Sequence, residues 1–430
     1  MRPYSLGLAA AFVCSAFPTL SAQPVTFHRD VLPVLQRNCQ TCHRPGEVAP
    51  MPFLTYDEVR PWAKSIKNAV ISKKMPPWYA GEHSTQFSND RSLSTADRNT
   101  LIAWVDAGAP AGNAADAPKP MQWTEGWSLG KPDQVFTTAA PLSIPAKGTM
   151  EYQYVIVPTG FTEDRYVQFV EARPTDRART HHIVAYIRPP KSKWLREYPV
   201  GAPFEPKNAK EGGSGQREFF SAYAPGGGPG RTKDGEARLI PAGSDVVFQL
   251  HYTTNGTAGE DRPRLGLVFA KQRPRTRIQT IAAQNEDFEI PAGAANHKVE
   301  ASFKVEEEMT MVNLFPHMHL RGKAFEYRIV YPTGETETIL NVPNYDFNWQ
   351  LTYDLAKPRL LPKGTLVQCT AWFDNSKSNR ANPDATVAVR QGEQSWDEMM
   401  IGFFDIAYPI DRQTGGRNKD REVAVNYQPR

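Results

Sequence analysis

Apolar and polar positions alternate through DVVFQLHYTT. Val246, Phe248, Leu250 and Tyr252 share one face of an extended strand, and His251 points to the other. The run TMVNLFPHMHLRG follows the same rule. Val312, Leu314, Met318 and Leu320 fall on one face, whereas Asn313, His317 and His319 fall on the opposite one. HHIVAYI and QSWDEMMIGFFDI are further strand-like runs, and strands continue from about residue 127 to the end. The 37 prolines and 30 glycines among these short runs predict β-rich architecture with many turns.

Residues 23–112 have a different texture. SLSTADRNTLIAWVDAGAP carries Ser94 as a helix cap with Asp97 three residues on, and Gly108 and Pro110 as stop signals. TYDEVRPWAKSIKNAV is helical in pattern if Pro61 occupies a first turn, and FHRDVLPVLQRN leads as a short helix into CQTCH. The Ala/Pro-rich stretch 113–126 is the expected linker.

CQTCH has the form of a covalent haem c attachment site. Cys39 and Cys42 suit thioethers to the haem vinyl groups, and His43 is placed to ligate the iron. A zinc site lacks its second pair of ligands here, and a redox CxxC lacks its α/β context. An electron carrier commonly adds a methionine on the far side of the ring. Met75, in KKMPPW, is the expected distal ligand, and Met51, in APMPF, is the rival. The stretch from CHRPGEVAPMPF to LIAWVDAGAP resembles class I-type cytochrome c domains fused to exported bacterial enzymes.

Of nine histidines, five lie in three strand-like motifs: His181 and His182, His251, and His317 and His319. A lone strand histidine is ordinarily structural, but five on such strands point to metal. Adjacent His181 and His182 can serve one ion only if the strand twists or bulges there. Imidazole sites suit copper, zinc, iron or nickel, and a thioether ligand favours copper. Met399 and Met400 are both available for that role, and spacing does not choose between them.

The start, MRPYSLGLAAAFVCSAFPTLSA, reads as a secretory signal peptide cleaved after Ala22, so the expected location is periplasmic or secreted. Cys14 belongs to that signal rather than to a lipid anchor. Cys39, Cys42 and Cys369 remain, so disulfides do not hold the exported protein together. No stretch predicts a transmembrane segment. Net charge is +4 with no basic stripe, which argues against nucleic acid as a partner.

Taken in order, HH, HY, HxHLxG and EM resemble the copper type II ascorbate-dependent monooxygenases, the family of peptidylglycine α-hydroxylating monooxygenase and dopamine β-hydroxylase. The resemblance spans residues 127–418. It implies that His181, His182 and His251 bind an electron-transfer copper, while His317, His319 and Met399 bind the catalytic copper. It also implies two successive β-sandwich domains of jelly-roll type, over 127–285 and 286–430. The expected fold class is therefore multidomain: a small all-α cytochrome c domain (23–112), then two all-β sandwich copper domains. Peptide-amidating members hold a substrate carboxylate with an arginine and a tyrosine where this chain has Phe315 and Phe403. The clamp is missing, so a neutral, apolar or aromatic small organic substrate is expected.

The activity that follows is hydroxylation of a C–H bond with O2, with haem c as built-in donor, itself reduced by an external partner. Ascorbate, used by the relatives, is a candidate external reductant. The alternative is a non-oxygenating copper–haem relay or copper-binding protein on the same scaffold. A purely structural adhesion sandwich leaves the histidines unexplained. APGGGPG, at 224–230, lacks a Gly-Lys-Ser/Thr ending and reads as a loop rather than a phosphate cradle. Tyr345, Phe347, Trp349, Leu351 and Tyr353 alternate along NYDFNWQLTYD and are expected as a strand face, packed in a core or lining a substrate site.

Overall fold

The computed structural model describes residues 23–410 apart from 124–125, 129, 207–216, 225–226 and 229. The expected signal peptide and part of the 224–230 loop lie outside the described residues. No helix among the described residues is long and apolar enough to cross a membrane.

Strands make up 37% of the structure and helices 12%. One nine-stranded sheet runs through the β-rich part. Strands Gln134–Thr137, Arg264–Phe269, Arg165–Arg173 and Glu236–Ile240 form one half of its path. Thr276–Asn285, Met400–Pro409, Met309–His317 and Tyr353–Leu361 form the other, and the two-residue strand Gly230–Arg231 pairs with Arg165–Arg173 off that path. The halves join where Thr276 and Arg277 pair in parallel with Glu236 and Ala237.

A four-stranded sheet covers each half. Gln153–Pro158, Asp245–Tyr252, Thr180–Arg188 and Glu218–Tyr223 cover the first, enclosing Val167, Ile183, Phe248 and Leu265. His297–Lys304, Leu366–Phe373, Gly322–Val330 and Thr336–Val342 cover the second, enclosing Leu314, Phe325, Val367 and Phe404. Leu314 and Met318 enter this core as the alternation requires. Val312 does not, because a bulge between Met311 and Asn313 shifts the register and buries Met311 instead.

At the seam, the Arg238 guanidinium donates to Asp405 (2.6 Å), and Asn313 Nδ2 donates to the same carboxylate (2.8 Å). Thr280 Oγ1 donates to its other oxygen. Arg238 and Asp405 are both buried, so their charges rely on each other and on these hydrogen bonds.

The fold class expected from the sequence is not the one observed. The chain is mostly β, its sheets are several and open, and no all-α cytochrome c domain stands apart. The helices before residue 107 are short: Leu32–Asn38, Tyr56–Val59, Ala63–Ile71 and Thr95–Asp106. Thr55 and Glu58 form a capping box, and Ser94 Oγ accepts from Asp97 N–H at 3.0 Å. Phe27, Leu35, Leu101 and Trp104 give these helices a small core.

Between the last two helices the chain leaves them and runs along the β structure. Gly81 N–H donates to Asn341 O (2.8 Å), Thr85 N–H to Ile339 O (3.0 Å) and Ser88 N–H to Asp354 O (2.8 Å). Trp78 and Phe87 pack on Tyr353. Helix periodicity finds the helices, but it is blind to these long-range backbone bonds. They make the N-terminal segment an appendage of both sheets of the second half rather than a separate all-α unit.

Candidate metal centre

Strand pairing gathers the first three histidines. His182 and His251 face each other directly across the Thr180–Arg188 and Asp245–Tyr252 strands. The register shifts between Thr180 and His182, which swings His181 towards the same point. One ring nitrogen from each of His181, His182 and His251 lies within 4.8 Å of the other two. Both nitrogens of His181, Nε2 of His182 and Nδ1 of His251 are buried and have no hydrogen-bond partner.

Orphaned polar atoms of this kind are rare in native interiors, and three converging ones fit a nitrogen-preferring metal ion. Burial, helped by the neighbouring rings, depresses their basicity. The His181 pKa is lowered to about 4 and that of His251 to about 3, while that of His182 is well below the usual range. All three are therefore neutral near pH 7, the state that ligates metal.

His317 ends the Met309–His317 strand and His319 begins the turn after it. Each ring has one nitrogen engaged: His317 Nδ1 meets Gln350 Oε1 (2.7 Å), and His319 Nδ1 meets Asp397 O (3.3 Å). This fixes the rings and leaves Nε2 as the atom each could offer a metal. Burial lowers the His317 pKa to about 4 and holds that of His319 well below the usual imidazole range.

The turn is held from below by Glu398, whose carboxylate accepts from His319 N–H (2.9 Å) and Arg321 N–H (2.6 Å). Burial pushes the Glu398 pKa up to about 8, against the pull of those two donors and the Arg321 charge. Arg321, buried behind the histidines, donates through Nε to Asn375 Oδ1 (2.9 Å) and through Nη1 to Trp396 O (2.8 Å). It braces the turn. Gly322 is needed because a Cβ there would lie 2.8 Å from both Met318 Cβ and the Tyr345 ring. Tyr345 uses that space to bond the Met318 backbone on both sides.

A cavity of about 530 Å³ is lined by His182 of the first set together with His317, His319 and Met399. Met400 is fully buried in the core, so strand alternation leaves Met399 facing the cavity. Phe347 lies between the sets: it stacks on His181 (4.6 Å) and meets the edge of His319 (6.0 Å). Phe315 and Phe403 stack at 5.7 Å and also line the cavity. A nitrogen-and-thioether donor set fits copper.

The CQTCH segment follows the helix ending at Asn38. His43 N–H donates to Cys39 O (2.9 Å), its ring stacks on Phe53 (4.1 Å), and Nδ1 meets Met51 O (3.0 Å). Nε2 is thus the atom available to an iron. Burial pushes the Cys39 thiol up to about 12 and also raises Cys42. Redox CxxC motifs need the opposite shift, so this pair is poorly suited to thiolate chemistry. The Met51 side chain packs on the helical core, and half-buried Met75 lies just beyond the Ala63–Ile71 helix.

No protein-family model matches this chain, and no curated protein matches it. Among solved structures, infectious bursal disease virus (Gt strain) aligns over 69% of this chain and 75% of that one, at 11% identity and a TM-score of 0.18. A VP2 subviral particle of the same virus aligns over 69% and 75%, at 10% identity and 0.17. Superposition this slight carries no inference about fold or function.

Sequence reasoning missed two contributors, Gln350 and Glu398, and left Phe347 open between a core and a substrate site. NYDFNWQLTYD is not a strand before Tyr353. Asp346 Oδ1 accepts from Asn348 N–H (2.9 Å), and the resulting turn carries Phe347 and Gln350 to the histidines. Glu398 was visible only as the residue beside Met399. An Asp two residues before an Asn was the available sign of the turn; nothing local marked Glu398.

Proposed function

We propose that this chain is an exported copper-dependent monooxygenase that hydroxylates a C–H bond of a small organic substrate, with haem c as its electron donor. One observation carries the reading: His182, from a cluster of three histidines with unpartnered nitrogens, lines the same cavity as His317, His319 and Met399. His181, His182 and His251 would hold one copper, and His317, His319 and Met399 the other. Copper, when bound, supplies one-electron redox chemistry towards O2. The balance is R–H + O2 + two electrons + two protons giving R–OH and water.

The chain's own residues do the rest. Gln350 and the Asp397 carbonyl orient the His317 and His319 rings, and Glu398 fixes the turn between them. Phe315 and Phe403 present an apolar wall that excludes water from a reacting C–H bond. A cavity this large is in the range of small-molecule sites, which favours turnover over a closed electron carrier. Cys39, Cys42 and His43 would hold the haem, with Met75 as a further candidate ligand. An external donor, ascorbate among the candidates, would supply its electrons.

The test is anaerobic reduction of the copper-loaded, haem-bearing protein followed by O2. Haem oxidation is followed optically, copper by electron paramagnetic resonance, and O2 uptake with and without substrate. Copper-dependent uptake with haem reoxidation is expected. Haem and copper that cycle with no substrate-stimulated uptake across a broad panel would favour the non-oxygenating relay.

A further inference from the structure

The cavity wall contains a cation that metal binding does not use. Arg217 immediately precedes the Glu218–Tyr223 strand, and the two-residue period puts it on the same face as Phe219. Both line the cavity. The Arg217 guanidinium lies over the rings of Tyr186 (4.9 Å) and Trp194 (4.8 Å), an aromatic seat that fixes its plane. Its Nη1 is buried and has no hydrogen-bond partner.

Among the described residues Arg217 makes no ion pair. Glu393, the nearby carboxylate of the same cavity, accepts instead from Tyr154 Oη (3.3 Å) and Gln249 Nε2 (3.2 Å). Glu286 and Asp287 are exposed residues at the rim, where solvent weakens their repulsion of an incoming anion. Arg217 is half-buried and lines the cavity with no hydrogen bond to its guanidinium among the described residues, so the part of it open to the cavity calls for an acceptor.

From Arg217 a continuous aromatic path leads to the histidines. Phe219 lies 5.2 Å from Phe403 and 6.1 Å from Phe315, and Phe403 lies 6.3 Å from His317. We infer that Arg217 anchors a carboxylate on the substrate, whose apolar or aromatic body rests on Phe219, Phe315 and Phe403. A planar carboxylate matches the guanidinium fork, and a cationic ligand would be repelled. The anchor comes from a different strand than the positions occupied by Phe315 and Phe403. The aromatic pair alone would select a neutral ligand; Arg217 changes that to an amphipathic anion.

This inference rests on the monooxygenase reading only in treating the cavity as a reaction site. The binding test does not need copper. Phenylacetate and its neutral isostere phenylacetamide are titrated into the full chain, metal-free and copper-loaded, by calorimetry and by the fluorescence of tryptophan, since Trp194 touches Arg217. Phenylacetate should bind about tenfold or more tighter than the amide, and Arg217→Met should erase that preference with little change for the amide. Arg217→Lys should keep a reduced preference, so the question stays open to test even if the Met variant does not fold. Equal affinity for acid and amide, no saturable binding of the acid (solvent alone satisfying Nη1), or a preference that survives Arg217→Met would overturn the assignment. Carboxylate binding without copper-dependent O2 uptake would keep the anchor and remove the oxygenase.

Discussion

Replacing Glu398 by Ala should damage one histidine set and leave the other intact. The carboxylate is buried and receives two backbone donors, His319 N–H at 2.9 Å and Arg321 N–H at 2.6 Å. Removing it orphans both, at about 1–3 kcal/mol each for buried donors. Above about pH 8, where the Glu398 carboxyl is ionised, it also strips the buried Arg321 guanidinium of a nearby countercharge, leaving it with Asn375 and the Trp396 carbonyl. Partial relaxation lets water reach the turn, so the lower half of the range applies, and a net loss of about 3 kcal/mol is expected. Above about pH 8, Glu398→Gln keeps the shape and one acceptor but sets an amide N–H against the other donor, for about 2 kcal/mol. Denaturant unfolding of the metal-free protein reads the stability, and copper analysis after dialysis reads the sites. Copper should fall by one equivalent, because the His319 turn is no longer held while the His181–His182–His251 cluster has no contact with Glu398. An alanine variant within about 0.5 kcal/mol of wild type, the range of an ordinary surface change, and still carrying its full copper would refute the reasoning.

His251→Ala should likewise remove one copper equivalent and spare the other, since distinct ligand sets bind independently; loss of both together would contradict two separate sites. Cys39→Ala or Cys42→Ala should cripple covalent haem attachment, whereas Met75→Ala should keep the haem with an altered axial spectrum. An unchanged spectrum in the Met75 variant would pass the distal role to Met51. Asp405→Ala leaves Arg238 buried without its partner at the seam and should cost about 3–5 kcal/mol in unfolding measurements. A cost under about 1 kcal/mol there would mean that the seam relies on backbone pairing alone.

What the sequence made legible was local. The two-residue period placed Leu250 and Tyr252 in a core and His251 off it, because a strand's facing depends only on the strand. The adjacency of His181 and His182 demanded an irregular strand, and the register shift at Thr180 supplies one. Long-range relations were hidden. The parallel pairing of Thr276 and Arg277 with Glu236 and Ala237 merges two halves into one sheet, yet it involves only two residue pairs with no pattern of their own. The 76–92 segment carries no strand signal, so its backbone bonds to Asn341, Ile339 and Asp354 could not be anticipated. In NYDFNWQLTYD the alternation was real, but Asp346 turn chemistry overrode it.

The contact between CQTCH and the histidine strand is better understood as positioning than as stabilisation. Glu47, four residues beyond His43, accepts from Arg44 (2.9 Å) through one oxygen and from Arg177 (2.5 Å) through the other. Arg177 lies four residues before His181. An exposed pair of this type is worth about 0–1 kcal/mol, and a half-buried one recovers little more after desolvation. Geometry is what the arrangement adds. Arg177 lies over Tyr223 (5.6 Å), which pairs with Ile183 beside His182, and Arg44 lies over Trp123 (4.2 Å), so each cation is fixed from a second side. On the proposed function, a haem held by Cys39, Cys42 and His43 would supply electrons to a metal held by His181, His182 and His251, and such a supply would weaken steeply with separation. A clasp that contributes little free energy but holds the two segments at one spacing is what that step requires. The same logic explains Phe347, which touches His181 on one side and His319 on the other and keeps the two histidine sets in a fixed relation across the cavity.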